Sequence, residues 1–212
     1  DLTDNVTMFN NLVKHRNKYK LLFCFCSGAA FNRDDKINNI SESEILNRNP
    51  SDYYGLSKNL IAREALQYDN VFNFRLFGCF GKGEEPGRFF PSVLRNIMSD
   101  TPVNIPLNRE MDFFSTSDVA KVILYYLNNY KNQNLPGDIN LVYPDKLTLE
   151  DQAGILIDEV TDSAWFMGGP LQAIVMDNSY TGDSSRLKSL GVDLKGLVES
   201  IRGTYGDTTH EQ

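Results

Sequence analysis

Residues 20–30 read KLLFCFCSGAA, an apolar run that stops abruptly at Ser27 and Gly28. A short run of this kind, without polar alternation, is typical of a strand that is buried on both faces of a parallel sheet. Ligands of open α/β sheets bind outside the carboxyl ends of the strands, so Ser27 stands where a site is expected. The run therefore predicts both a central strand and the end of the sheet that carries chemistry.

Helical and strand patterns alternate on both sides of this run. Such alternation predicts an α/β fold with a largely parallel sheet. Residues 32–49, by contrast, are polar, rich in Asn and irregular, and Glu42 and Glu44 are expected to lie there in a solvated loop. The predicted helices cover about residues 4–18, 50–67, 89–98, 117–129 (capped by Ser117 and Asp118), 148–160, 185–190 and 194–205, and the further predicted strands cover 71–77, 103–105, 113–114, 138–143 and 171–176.

The 212-residue chain has an ordinary globular composition, with 41% hydrophobic and 23% charged residues. This composition supports a packed core and excludes intrinsic disorder, collagen-like repeats and coiled coils. A net charge of −7 and the lack of a basic stripe argue against a nucleic acid as partner. No apolar run approaches the 18 or so residues of a membrane span, and the start at Asp1 lacks a basic signal-peptide region. We therefore expect neither a nucleic acid nor a membrane as partner.

The three cysteines are too few for a disulfide scaffold and indicate a reducing compartment, so we expect a cytoplasmic location. Cys24 and Cys26 would share one face of the first strand, but a metal site needs further ligands. The sequence offers only His15 and His210 as histidines. We therefore expect the thiols to be small buried hydrophobes and predict no metal site.

The pentapeptide YGLSK at residues 54–58 places Tyr54 and Lys58 four residues apart on a predicted helix, and therefore on the same face. A phenol, with a reference pKa of about 10, is a poor acid–base catalyst at neutral pH. A neighbouring ammonium favours the phenolate, which gives this spacing a chemical purpose. The pair alone is common on helix surfaces, but a serine at the end of the preceding strand can bind the same substrate oxygen.

With these residues in place, the chain resembles the extended short-chain dehydrogenase/reductase family of nucleotide-sugar epimerases, dehydratases and reductases. The similar segments follow the family's order along nearly the whole chain. They are residues 25–31 (FCSGAAF), 53–58 (YYGLSK), 75–81 (RLFGCFG), 111–120 (MDFFSTSDVA) and 183–205.

The resemblance implies the C-terminal two-thirds of a Rossmann-like, doubly wound parallel sheet with a smaller α/β substrate-binding lobe. Residues 1–81, together with a strand and helix from 112–143, would form the second half of the NAD(P)-binding domain. Residues 82–212 would mostly form the lobe that binds the sugar nucleotide. The resemblance is also compatible with a homodimer.

The resemblance implies roles for individual residues as well. Tyr54 would be the acid–base catalyst, supported by Lys58 and Ser27, and hydride would pass between NAD or NADP and a sugar carbon, most often C4. The reaction would be a 4-keto reduction or a 4-epimerisation of a nucleotide-diphosphate sugar. The residues expected to bind the cofactor are Cys26, Tyr54, Lys58, Phe77 and Gly78, and those expected to bind the substrate are Ala29, Arg88, Phe89, Arg109 and Tyr180.

Several departures from the family pattern limit these expectations. The sequence contains no G-x-x-G-x-x-G turn to hold the cofactor pyrophosphate, so it resembles a family member that begins just before the fourth strand. Gly28 and Ala29 stand where dehydratases carry an acidic pair, which disfavours dehydration. Met111 replaces an arginine that often binds the diphosphate, a role that Arg88 or Arg109 would have to assume.

The glycines of residues 78–87 have the wrong spacing for a phosphate loop and two intervening carboxylates, and are expected to form an active-site rim. Two alternatives to an enzyme remain open at this point. The chain could be a non-catalytic relative that acts as a binding or oligomerisation module, or a fragment of a longer enzyme.

Overall fold

A computed structural model describes residues 2–131, 134–161, 172–175 (backbone only) and 179–206. His210 lies outside these residues. Short 3₁₀ turns at Arg16–Lys18, Gly28–Phe31 and Glu42–Leu46 join some of the elements. The helices are α1 (Leu2–Val13), α2 (Tyr53–Ala65), α3 (Phe89–Met98), α4 (Thr116–Asn129), α5 (Leu149–Val160), α6 (Ser185–Ser189) and α7 (Leu197–Tyr205). The strands are β1 (Leu22–Ser27), β2 (Ile37–Ile40), β3 (Val71–Leu76), β4 (Gly78–Phe80), β5 (Asn104–Asn108), β6 (Phe113–Ser115), β7 (Asp138–Asn140), β8 (Gln172–Val175) and β9 (Tyr180–Gly182).

The central sheet is parallel, with β3 between β1 and β7. Three further parallel pairs, β2 with β9, β4 with β6 and β5 with β8, extend the structure beyond the ends of these strands. Helices and parallel strands alternate along the chain, so the predicted α/β fold class is confirmed.

Helices cover both faces of this sheet. Successive side chains of a strand point to opposite faces, and β3 places apolar side chains on both of them. Val71 lies in one apolar cluster with residues of α1 and α2. Phe72 and Phe74 face the other way, and both contact the ring of Tyr126 on α4 at centroid distances of 5.1 and 4.9 Å. The sheet is therefore wound on both sides, as the resemblance implies.

One expectation for β1 is wrong, namely that the strand is buried on both faces. Phe25, in the middle of β1, is 47% exposed. Among the described residues, β1 has a neighbouring strand on one side only, so its backbone and side chains border solvent along the other. An apolar run marks a strand but does not distinguish the centre of a sheet from its edge.

A buried polar network fastens β3 to β7. The fully buried Arg75 donates to the Asp138 carboxylate at 2.9 Å and to the Asn140 side-chain oxygen at 3.0 Å. The other oxygen of Asp138 accepts from Asn73 at 2.6 Å. The guanidinium of Arg75 also lies over the ring of Phe31, 4.4 Å from its centroid, which ties the sheet to the turn after Ser27.

The stretch 32–49 is more ordered than the sequence predicts. It contains β2, whose partner β9 lies about 140 residues later in the chain. Glu42 is 3% exposed rather than solvated, because its carboxylate accepts from the Asn140 backbone N–H at 2.9 Å and faces Arg186 at 3.7 Å. Burial raises the pKa of Glu42. Glu44, in contrast, is partly exposed, as expected.

Asp118 does not cap α4, contrary to expectation. The cap is Ser115, whose hydroxyl accepts from the Asp118 backbone N–H at 3.2 Å. The Asp118 carboxylate is fully buried and accepts from the Tyr143 hydroxyl at 2.8 Å and from the Lys195 N–H at 3.0 Å. It therefore joins α4 to the chain segment before α7.

The Arg75–Asp138 pair gives a test of the sheet's polar core. Asp138→Asn keeps an oxygen for Asn73 but leaves the Arg75 charge buried without a counterion, so we expect a loss of about 3–5 kcal/mol in the free energy of unfolding. Glu159→Gln is the matched control, because Glu159 pairs at 2.6 Å with the half-exposed Arg202 and should cost at most about 1 kcal/mol. Urea titrations measure both values, and equal losses would contradict the assignment.

The cysteines are free thiols, of which Cys26 is buried and Cys24 and Cys79 are partly buried. Burial raises the pKa of all three, that of Cys24 to about 11. Since the thiolate is the reacting form, we expect native Cys24 to react with iodoacetamide at pH 8 at least about 100-fold more slowly than in the urea-unfolded chain. Mass spectrometry of the labelled peptides measures these rates, and fast labelling of native Cys24 would refute the expectation.

Candidate functional site

Helix α2 begins at a capping carboxylate beside the end of β1. Asp52 accepts from the Gly55 N–H at 2.8 Å, which fixes the first turn that carries Tyr54. Gly55 is required here, because a Cβ at this position would lie 2.7 Å from the Ala29 carbonyl oxygen. The start of the helix therefore lies directly against the turn that follows β1.

Tyr54 and Lys58 share one face of α2, as their spacing predicts. The Lys58 ammonium lies 5.8 Å from the centroid of the Tyr54 ring and donates to the backbone oxygen of Phe25 on β1 at 3.1 Å. That bond holds the ammonium between the helix and the sheet edge. Tyr54 is 47% exposed, so its phenol is open to a ligand.

Ser27 ends β1 and caps the turn that follows. Its hydroxyl oxygen accepts from the Ala29 backbone N–H at 3.2 Å, which leaves the hydroxyl proton to be donated. Tyr180 on β9 is hydrogen-bonded to Ser27 through its phenol. Two hydroxyl groups from distant parts of the chain thus meet at the carboxyl end of β1.

A buried amide fixes the irregular segment against α2. The Asn59 side chain donates to the carbonyl oxygens of Ala30 at 2.9 Å, Arg48 at 3.0 Å and Ile45 at 3.2 Å. Since Asn59 lies on the helix that carries Tyr54 and Lys58, it holds both ends of the loop after Ser27 in place. This explains how a stretch without a periodic pattern adopts one conformation.

These elements surround a cavity of about 570 Å³ at the carboxyl ends of β1 and β3. It brings together residues from widely separated parts of the sequence, from residue 27 to residue 180. Of the predicted site residues, the lining contains Ser27, Ala29, Tyr54, Phe77, Arg88, Arg109 and Tyr180.

Four predicted site residues do not line this cavity. Lys58 stands behind Tyr54, and the Cys26 thiol is buried and contacts the Lys58 carbonyl oxygen at 3.6 Å. Gly78 lies where a Cβ would meet the Phe113 ring at 2.6 Å, so close packing accounts for the absence of a side chain there. Phe89 lines a neighbouring cavity of about 280 Å³, which shares Arg109 with the first.

Sequence reasoning missed five residues of the lining. They are Arg33, Asp35, Ile37, Met111 and Ser179. Arg33 and Asp35 belong to the stretch that was expected to be irregular, where no periodic signal singles out a residue. Met111 was recognised only as a missing arginine, and Arg88 and Arg109 do lie with it in the wall.

The two phenols of the cavity lie in different surroundings. Burial raises the pKa of Tyr180 to about 12, although the hydrogen bond with Ser27 and the charges of Arg33 and Arg109 act in the opposite direction. Tyr180 therefore stays protonated at neutral pH and can donate a hydrogen bond. Tyr54 differs in being half exposed and in having the Lys58 ammonium beside it.

A larger cavity, of about 660 Å³, lies elsewhere among the described residues. Its walls come from residues 81–84, α3 and the end of α7. It contains none of the predicted catalytic or binding residues, and the carboxyl ends of β1 and β3 do not reach it. Gly81 and Gly83, which were expected in an active-site rim, line this cavity instead of the one around Tyr54. Volume alone would select this cavity, whereas the chemistry of the side chains selects the one around Tyr54.

The profile of the "NAD dependent epimerase/dehydratase family" matches residues 1–141, two thirds of the sequence. The chain belongs to this family. The predicted family membership is thereby confirmed. A search of curated protein sequences found no match.

Several solved structures of nucleotide-sugar enzymes are similar in fold to this chain. A GDP-mannoheptose C4 reductase of Campylobacter jejuni, solved with NADP, gives a TM-score of 0.75 at 20% identity, over 98% of this chain and 74% of that one. A dTDP-glucose 4,6-dehydratase of Bacillus anthracis, in complex with NAD, gives 0.74 at 14% identity, over 100% and 69%. A UDP-glucuronic acid 4-epimerase of Bacillus cereus, with NAD, gives 0.70 at 16% identity, over 95% and 64%.

These values mean that the chain spans about two thirds to three quarters of the length of such proteins. At these identities the similarity concerns the fold. Within the described residues, no helix has the length and apolar character needed to cross a bilayer.

The floor of the cavity can be tested through Gly28. A Cβ there would lie 2.5 Å from the Phe77 ring and 2.7 Å from the Tyr180 hydroxyl, and both rings are buried. We expect Gly28→Ala to lower the free energy of unfolding by about 1–3 kcal/mol because the rings must move.

Gly87→Ala is the control for this prediction. A Cβ at Gly87 meets nothing within 4 Å, so the change should stay within about 0.5 kcal/mol of zero. Urea titration of both variants measures the difference. A Gly28→Ala protein as stable as Gly87→Ala would show that the rings do not pack as described.

Proposed function

We propose that this protein is an NAD(P)-dependent oxidoreductase or epimerase that acts at C4 of a nucleotide-diphosphate sugar, as a 4-keto reductase or a 4-epimerase. The observation that carries the proposal is the meeting of Ser27, Tyr54 and Lys58 at one end of β1, beside a cavity with arginines in its wall. Membership of the family and the resemblance of the motifs support it. We also propose that the protein acts in the cytoplasm.

The donor groups suit the nicotinamide end of the cofactor. A phenol, an ammonium and a serine hydroxyl lie where parallel strands end, beside Phe77 at the end of β3. Tyr54 and Lys58 would bind the nicotinamide ribose there. NAD(P), when bound, supplies or takes up the hydride at the sugar C4.

Tyr54 is the group that moves the proton at the C4 oxygen. In reduction its phenol donates a proton to that oxygen, and in oxidation the phenolate takes it up. The Lys58 ammonium, held by the Phe25 carbonyl oxygen, stabilises the phenolate from one helical turn away. Tyr180 is less suited to the uptake step, since burial raises the pKa of its phenol and disfavours the phenolate.

Ser27 orients the same oxygen. Its hydroxyl oxygen accepts from the Ala29 N–H, and in this proposal the hydroxyl donates its own proton to the C4 oxygen. Two donors on one substrate oxygen, from Ser27 and Tyr54, fix the distance over which the proton moves. Arg88 and Arg109 would bind the diphosphate in place of the arginine that Met111 replaces.

The proposal is tested by removing the hydroxyl group of Tyr54. We expect Tyr54→Phe to lower turnover by about 100- to 10,000-fold, because the proton donor is lost while the ring remains. The assay follows the absorbance of reduced nicotinamide with nucleotide-linked 4-keto sugars, and NMR of nucleotide hexoses detects epimerisation.

Tyr53→Phe is the matched control, because Tyr53 is the preceding residue, is 76% exposed and does not line the cavity. It should retain full turnover. Turnover that survives Tyr54→Phe would reject Tyr54 as the proton donor. Failure of the protein to bind NAD or NADP would reject the enzyme and leave the non-catalytic module or the fragment of a longer enzyme.

A further inference from the structure

The cavity wall offers several guanidinium groups to a ligand. Three guanidinium groups, those of Arg33, Arg88 and Arg109, line it in a protein whose net charge is −7. The carboxylate in the lining, that of Asp35, is already paired with Arg48 at 3.1 Å. Arg33 and Arg88 are paired with carboxylates outside the lining, Asp52 at 3.1 Å and Glu84 at 3.5 Å. Since the side chains of Arg33 and Arg88 remain more than half exposed, anionic groups of a ligand can still share their guanidinium groups.

Arg33 lies at the reactive end of the cavity. Its guanidinium is 3.1 Å from the Asp52 carboxylate, which caps the helical turn that carries Tyr54. It lines the same cavity as the phenols of Tyr54 and Tyr180. Arg33 is thus fastened next to the groups at which the sugar would react.

Much of the Arg33 guanidinium remains available to a ligand. The group has five N–H donors in a planar fork, and among the described residues its ion pair is with Asp52 through one nitrogen. The side chain is 53% exposed. A planar fork of this kind matches a carboxylate, which can accept two parallel hydrogen bonds.

We propose that Arg33 determines specificity for a nucleotide sugar whose sugar ring carries a carboxylate. The inference rests on the proposed function, in which Arg88 and Arg109 bind the diphosphate. With the diphosphate on those two arginines, the exposed part of the Arg33 guanidinium, in the wall that also contains Tyr54, is left for a carboxylate on the sugar itself. Arg33 would bind this carboxylate while Asp52 holds the guanidinium in place.

The test compares ligands that differ only at the sugar carboxylate. The matched pairs are UDP-glucuronic acid with UDP-glucose, and GDP-mannuronic acid with GDP-mannose, each titrated calorimetrically into the protein with NAD(P) present. We expect the acid of at least one pair to bind about 10- to 100-fold more tightly than the neutral sugar. Arg33→Gln should remove this preference and leave the affinity for the neutral sugar within about twofold.

Two further variants keep the test specific. Arg33→Lys retains the charge without the fork and should keep part of the preference. Arg202→Gln is the control, because Arg202 is equally exposed at 52% and is also ion-paired, but lies outside the cavity. It should keep the full preference, and thermal unfolding of each variant confirms that it is folded.

The outcomes separate this inference from the proposed function. Equal binding of acid and neutral sugar, or a preference that survives Arg33→Gln, overturns the role of Arg33 alone. An equal loss of affinity for both sugars assigns Arg33 to the diphosphate and also overturns it. If no nucleotide sugar binds to the wild-type protein, the proposed function fails as well.

Discussion

The parallel register of β1 and β3 is the constraint on which the site depends. Ser27 pairs with Leu76, so the two strands end side by side and the segments that follow them leave from the same edge. Those segments supply Ala29 and Arg33 on one side and Phe77 on the other. An antiparallel pair would send the two chains to opposite ends of the sheet, and no cavity would form between them.

Two glycines allow the backbone to approach closely at this shared edge of the sheet. Gly28 and Gly182 both lie against the ring of Phe77, at ideal Cβ distances of 2.5 and 2.6 Å. Any side chain at either glycine would push the β9 segment away from β1 and take Tyr180 with it. Tyr180, whose ring packs edge-on against Phe77, can therefore reach Ser27 only because two residues have no Cβ.

Much of the fold could be predicted because local pattern determines it. The predicted helix 89–98 coincides with α3, and the predicted strand 71–77 covers β3. The strands that were missed, β2, β4 and β9, have three or four residues each, and their partners are remote in sequence. Such strands form because tertiary contacts align them, so the local sequence pattern does not predict them. The exposure of Phe25 could not be predicted for a similar reason. Burial depends on the neighbouring strands and helices, which the apolar run alone does not identify.

The same distinction applies to the site. Ser27, Tyr54 and Lys58 could be found because fixed spacing on a strand and a helix gives them a motif. Arg33 could not, because its place depends on Asn59, which holds the loop, and on Asp52, which binds its guanidinium. Both are ordinary capping and anchoring residues in the sequence. Residues that a fixed spacing places on regular elements can therefore be predicted from the sequence, whereas residues on loops take positions that only the folded chain defines.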